Sequence, residues 1–147
     1  MKTEHLTHLT PQQLDQLMSI WLSGNLTAHP FVHTGYWHEQ APFVRAALQE
    51  AEIIIGLADD PDDRILGFIG LQANYIAGLF IRKDAQHQGI GTALLTLVKN
   101  NHQCLRLNVY IANRQAVAFY HHSGFRVLNQ TIDQATNQPE YTMQWQR

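Results

Sequence analysis

The sequence predicts a mixed α/β fold, one sheet of about seven strands covered by about four helices. Three observations carry this expectation. Short apolar runs of strand length recur, among them Ile53-Ile54-Ile55-Gly56-Leu57 and Leu105–Tyr110. Leu14, Leu17, Met18, Trp21 and Leu22 repeat at helical spacing. The elements also alternate in type along the chain: strand, two helices, three strands, helix, strand, helix, two strands.

Each element has a local reason. Glu4–His8 reads as the opening strand. Thr10 is an N-cap residue with Pro11 at the first helical position, where its missing N–H costs nothing; this helix is expected to end near Ser23-Gly24-Asn25. A loop with Pro30 and Gly35 follows. A second helix then runs from about Trp37 to Glu50, with Pro42 bending or restarting it. Ile53–Leu57 reads as a buried strand, and Asp59-Asp60-Pro61-Asp62-Asp63 as the turn after it. Ile65–Leu71 and Ile76–Ile81 are the next strands, turning near Asn74. Gly78 inside the second points to a bulge or a close backbone approach, or equally to relief of crowding in the core. The helical stretch Ala93–Asn100 leads to strand Leu105–Tyr110 and then to a helix through Tyr120. Strands Phe125–Ile132 and Glu140–Trp145, joined by the polar Asp133–Pro139 loop, complete the set.

Composition bounds what this fold does. At 147 residues the chain fits one domain, spanning 1–147, and can bury a real core. Hydrophobic residues make up 45% and charged residues 15%, as in ordinary globular proteins. The net charge is −2 with Lys and Arg scattered, so no basic stripe points to nucleic acid. No apolar run approaches the roughly 20 residues of a membrane span, and the N-terminus lacks a signal-peptide pattern. Cys104 is alone, which excludes a disulfide within the chain and points to a reducing, cytoplasmic setting. The chain is expected to be a monomer or a homodimer.

The most informative segment is Gln86-His87-Gln88-Gly89-Ile90-Gly91-Thr92, between the strand ending Leu79-Phe80-Ile81 and a helix. Free backbone N–H groups at a helix start, with the helix dipole behind them, make an anion site. Gly89 and Gly91 let the backbone turn tightly and approach a phosphate without a Cβ in the way. Downstream lies Asn113-Arg114-Gln115-Ala116-Val117-Ala118-Phe119-Tyr120, ending at Ser123-Gly124-Phe125.

These two segments, in this order and at this separation, resemble the GNAT superfamily of N-acetyltransferases, which move acetyl from acetyl-CoA to an amine. Gln86-x-x-Gly89-x-Gly91 matches its pyrophosphate loop, and Asn113-x-x-Ala116-x-x-Phe119-Tyr120 its second cofactor and catalytic segment. The likeness extends to Ile20-Trp21-Leu22, His29-Pro30-Phe31, Tyr36-Trp37 and Phe43-Val44-Arg45, which are similar to the small bacterial protein-lysine N-acetyltransferases of that superfamily. It implies a mostly antiparallel sheet that splays open between strands four and five, with the cofactor's pantetheine arm pairing with the fourth strand. It further implies cofactor contacts from Leu79, Phe80, Ile81, Gln86, His87, Gln88, Gly89, Ile90, Gly91, Thr92 and Asn113. Tyr120 takes the place of the catalytic acid, and the backbone N–H of Phe80 or a neighbour that of the thioester-oxygen donor.

The chemistry agrees with those roles. A lysine of pKa about 10.4 is neutral to only on the order of 0.1% at pH 7, so attack on a thioester requires removal of a proton. A phenol near the sulfur can protonate the departing thiolate, since Tyr (about 10) and thiol (about 8.5) pKa values lie close together. The fourth strand, Tyr75–Ile81, carries no carboxylate where many members of the superfamily keep a base. A water chain or a histidine from His29, His33 and His38 is left to take the proton. His29, Phe31, Tyr36 and Trp37, with Tyr75, are expected to bound the acceptor, their aromatic faces suiting an aliphatic stem. No metal is expected, because Pro30 and Gly35 break any helix that would align the three histidines. Acetyl-Cys104 is not expected as an intermediate, so transfer is direct in a ternary complex. The leading acceptor is a protein lysine. A small-molecule amine such as an amino acid, polyamine or aminoglycoside, and a non-catalytic acetyl-CoA sensor, are the alternatives.

Overall fold

The computed structural model describes residues 1–147. Seven strands form one sheet: β1 (Lys2–Leu6), β2 (Glu52–Leu57), β3 (Ile65–Gln72), β4 (Tyr75–Ile81), β5 (Cys104–Tyr110), β6 (Arg126–Asp133) and β7 (Gln138–Gln146). Their order across the sheet is β1-β2-β3-β4-β5-β7-β6. Every adjacent pair is antiparallel except β4–β5, which is parallel. Helices α1 (Pro11–Ala28) and α2 (Thr34–Glu50) cover one face, and α3 (Ile90–Asn100) and α4 (Arg114–His122) the other.

The Ile53-Ile54-Ile55 run is apolar throughout because both faces of β2 are covered. Ile53 and Ile55 enter the core under α1 and α2, while Ile54 enters the core under α3. Edge strand β6 is exposed along most of its length.

Helix α1 starts as expected: the Thr10 side chain accepts from the Gln13 N–H, and the Gln13 side chain accepts from the Thr10 N–H. It does not end at Ser23–Asn25 but continues to Ala28. Gly24 serves there as a point of close approach rather than a stop, since an added Cβ would lie 3.1 Å from the Phe80 ring. Asn25 is buried and donates to the Trp21 carbonyl, so a residue with turn preference is held inside the helix. Helix α2 begins earlier than Trp37, at Thr34, because His33 acts as its N-cap and accepts from the Gly35 N–H. It runs through Pro42 without restarting. The first strand lies at Lys2–Leu6 rather than Glu4–His8, set by its pairing with β2.

Strands β4 and β5 meet only at their beginnings. Tyr75 is the β4 residue in register with β5, opposite Arg106, and the Arg106 N–H donates to the Asn74 carbonyl. Beyond this point the strands diverge, and β4 is paired on its β3 side alone. A register shift on β4 skips Ala77 between Ile76 and Gly78, which is the bulge the glycine anticipated. The sheet therefore opens into a V whose arms are the second half of β4 and β5.

Candidate active site

A cavity of about 350 Å³ occupies the α3–α4 side of the V. Its walls include Leu79, Ile81, Gln86, His87, Gly89, Gly91, Thr92, Asn113, Phe119 and Tyr120. Gly89 caps α3 with φ +81°, a left-handed conformation that residues with a Cβ adopt only at a cost, and His87 in the same loop has φ +62°. Gly91 follows in the first turn of α3; a Cβ there would lie 3.4 Å from Phe119 and 3.9 Å from Leu79, both cavity walls. The loop is thus backbone-lined at the start of a helix whose first turn carries no acidic side chain. This suits a pyrophosphate, with the slot between β4 and α4 left for an extended arm.

A second cavity, again about 350 Å³, opens on the α1–α2 side. Leu79, Asn113, Ala116 and Tyr120 line both cavities, so the two meet across the V at these four residues. Tyr120 is 8% exposed and packs against Phe119 and Phe125. Its hydroxyl makes no hydrogen bond within the protein, and it is not among the fully enclosed polar atoms, so it reaches the junction. Burial pushes its pKa well above the ordinary phenol value, keeping the proton on oxygen.

Asn113 ties the helices around this junction together. As N-cap of α4 its Oδ1 accepts from the Ala116 N–H, and its Nδ2 lies 3.1 Å from His29 Nε2. His29 Nδ1 is 3.0 Å from Asn25 Oδ1, while Asn25 Nδ2 donates to the Trp21 carbonyl. With both amides oriented by these bonds, His29 carries its proton on Nδ1 and accepts at Nε2. Its ring stacks on Trp37 at 5.4 Å and meets Tyr110 edge-on at 5.0 Å. Desolvation lowers its pKa to about 4. His29 is therefore a neutral brace whose lone pair already has a partner.

Most of the residues expected at the site converge on it, with four exceptions. Phe80 lines the acceptor-side cavity rather than the cofactor side, because the β4 bulge turns its ring toward Gly24 and Phe68. Gln88 faces a separate surface pocket with Arg64 and Asp84, since the left-handed turn at Gly89 directs it away. Phe31 and Tyr36 do not line the acceptor cavity. Phe31 packs on His29 and Tyr110, and Tyr36 on Trp37, so they buttress its wall. His33 and His38 are exposed, and no group of three or more His, Cys, Asp or Glu side chains is arranged to hold a metal.

The acceptor cavity also has walls that sequence reasoning missed: Trp21, Asn25, Asn108, Tyr110, Asp133 and Glu140. The last four come from β5, β6 and β7, and only strand pairing brings them opposite α1. Tyr110 donates to Asp133 Oδ2 at 2.6 Å, and the Thr136 hydroxyl donates to the same oxygen at 3.0 Å. Period-2 alternation in β5 could have flagged Asn108 and Tyr110, since Leu105, Leu107 and Val109 take the buried face.

A family model described as an acetyltransferase (GNAT) domain matches residues 33–144. The peptidyl-lysine N-acetyltransferase YiaC of Escherichia coli is 31% identical over 135 residues, which is 90% of each chain. The peptidyl-lysine N-acetyltransferase YjaB of Salmonella typhimurium is 33% identical over 113 residues, 77% of each chain. The solution structure of apo-form YjaB from Escherichia coli superposes with a TM-score of 0.83 at 26% identity, covering 99% of this chain and 98% of that one.

Proposed function

From the premise that this chain belongs to the GNAT family and is an acetyl-CoA-dependent N-acetyltransferase, we propose that its acceptor is the side-chain amine of a protein lysine. The observation that carries this reading is the junction at Tyr120. One cavity with a phosphate-type loop and another with aromatic walls meet at a single phenol. Acetyl-CoA would place its pyrophosphate on the Gly89–Thr92 backbone and its pantetheine arm along the unpaired edge of β4. The thioester would then lie beside Tyr120.

A backbone N–H of diverged β4, at Phe80 or a neighbour, donates to the thioester oxygen as it gains charge. Tyr120, held protonated by its surroundings, donates to the departing thiolate. Asn113 and His29 fix the start of α4, and so the position of Tyr120, nearly two turns further on. The acceptor's aliphatic stem would run between Trp21, Trp37 and Tyr75. The lysine assignment is supported by the activity that the names of YiaC and YjaB give for those relatives. In this structure no helix is long and apolar enough to cross a membrane; a cytoplasmic location and a chain that functions as one domain over 1–147 belong to the same proposal.

The test is thiol release from acetyl-CoA with lysine peptides, free amino acids, polyamines and aminoglycosides in parallel. Release with lysine peptides is the expected result. Release with one small amine alone would replace the acceptor and keep the mechanism. Silence across the panel, with acetyl-CoA still bound, would overturn the reading in favour of a sensor.

A further inference from the structure

The acceptor cavity has one ionised group that nothing in the protein satisfies. Glu140 projects from β7 into it, on the same face of the sheet as Tyr110, which is its register partner on β5. Its carboxylate forms no hydrogen bond and no ion pair, and its pKa is raised, first by desolvation and then by the neighbouring Asp133 charge. Asp133 differs: both Tyr110 and Thr136 hydroxyls donate to it. The groups facing Glu140 are Asp133 from β6, Tyr110 from β5, Tyr75 from β4 and Tyr36 from α2. His29 lines the same cavity in its neutral form. No Lys or Arg is among the lining residues. Arg106, on the same face of β5, is turned to Gln144 at 2.8 Å.

Trp37 stands in the wall of the same cavity with its polar atom turned into the protein. It is 7% exposed, and its indole Nε1 is the one buried side-chain polar atom without a partner. An unpaired carboxylate in a cavity lined by no Lys or Arg fits a ligand that brings its own cation. A lysine ammonium is such a cation.

Resting on the acetyltransferase reading, we propose that Glu140 receives the acceptor ammonium and takes its proton, supplying from β7 the carboxylate that β4 lacks. The ammonium gives one proton to the Glu140 carboxylate, directly or through one bridging water, and becomes a neutral amine. Its nitrogen lone pair forms the C–N bond at the acetyl carbonyl. The C–S bond then breaks, and the thiolate takes the Tyr120 proton. The second proton on nitrogen returns to the Tyr120 oxygen as the amide forms. Glu140 releases its proton to solvent, so each turnover yields one amide, one thiol and one proton. The proposal also restricts the substrate: amines that are cationic at neutral pH are accepted, and an anionic group beside the amine is rejected by Asp133 and Glu140.

The experiment is the pH dependence of kcat/KM for Glu140→Gln and the wild type, with acetyl-CoA and a lysine peptide. The wild type should reach a plateau once Glu140 is ionised. Glu140→Gln should fall about 100-fold at pH 7 and then climb tenfold per pH unit toward pH 10, following the free amine. Coenzyme A affinity and melting temperature should match the wild type, which separates lost chemistry from lost structure. Glu140→Asp should restore part of the rate and the plateau. A Glu140→Gln enzyme with the wild-type rate, or with the same fractional loss at every pH, overturns the role for Glu140 and leaves the acetyltransferase reading intact. A wild type that releases no thiol with any amine overturns both.

Discussion

Replacing Tyr120 by Phe separates chemistry from stability more sharply than any other single change in this protein. The ring packs between Phe119 and Phe125, with centroids at 5.2 and 5.5 Å, and Phe keeps all of those contacts. The hydroxyl makes no hydrogen bond within the protein, so the usual cost of deleting one, about 0.5–1.5 kcal/mol, does not arise. Stability should change by less than about 0.5 kcal/mol, a melting shift within about 2 °C for a chain of this size. Loss of a general acid removes about 10²–10⁴-fold in kcat, or roughly 2.7–5.5 kcal/mol of barrier. Coenzyme A affinity should stay within about threefold, because the anion site is backbone at the start of α3. Thermal melting, coenzyme A titration and thiol-release kinetics on the one variant measure all three. A Tyr120→Phe enzyme that keeps more than a third of kcat would refute the assignment. So would a fall in melting temperature above about 5 °C, since the hydroxyl would then be structural.

Other outcomes follow from the same geometry. Gly91→Ala should leave stability unchanged or raise it by up to about 1 kcal/mol, because its φ is ordinary and Ala favours helix. Its methyl group would rest at ordinary contact distance from Phe119 and Leu79, so coenzyme A affinity measured by calorimetric titration should stay within about threefold; a loss of about tenfold or more would show that the cofactor needs bare backbone at this position. His29, with its folded pKa lowered to about 4, is held neutral while the unfolded chain protonates below about 6.5. Stability from this group is thus complete above pH 6.5 and is lost as pH falls toward 4. The loss amounts to about 1–2 kcal/mol once solvent screening of a half-buried ring is allowed for. Urea unfolding of the wild type and His29→Gln across that window should show the difference narrowing as pH falls, and a constant difference would contradict the buried neutral ring. For the same reason, an acid limb in the rate profile above pH 5 cannot belong to His29.

The chemistry class was legible along the chain, because it depends on local features. A glycine loop at a helix start and an Asn-to-Tyr helix segment are contiguous, and each is built by neighbours in the chain: Gly89 in its left-handed turn, Asn113 capping α4, Tyr120 less than two turns later. The helix starting at Thr10 and the strands through Ile53–Ile55 and Leu105–Tyr110 were legible for the same reason, since capping and two-residue alternation act over a few residues. Helix ends were harder to read. Gly24 and Asn25 look like a stop, and only contact with Phe80 and the Trp21 carbonyl keeps the helix going to Ala28. The acceptor side takes its form from long-range contacts. The V between β4 and β5, the His29–Asn113 bridge across 84 positions, and the arrival of Asp133 and Glu140 opposite Trp37 all join residues far apart in the chain. Side-chain orientation there follows from strand register, where a slip of one residue would turn Glu140 to the other face of the sheet. A cofactor with constant chemistry can be bound by a local motif, whereas an acceptor pocket is assembled from whichever strands the sheet brings together.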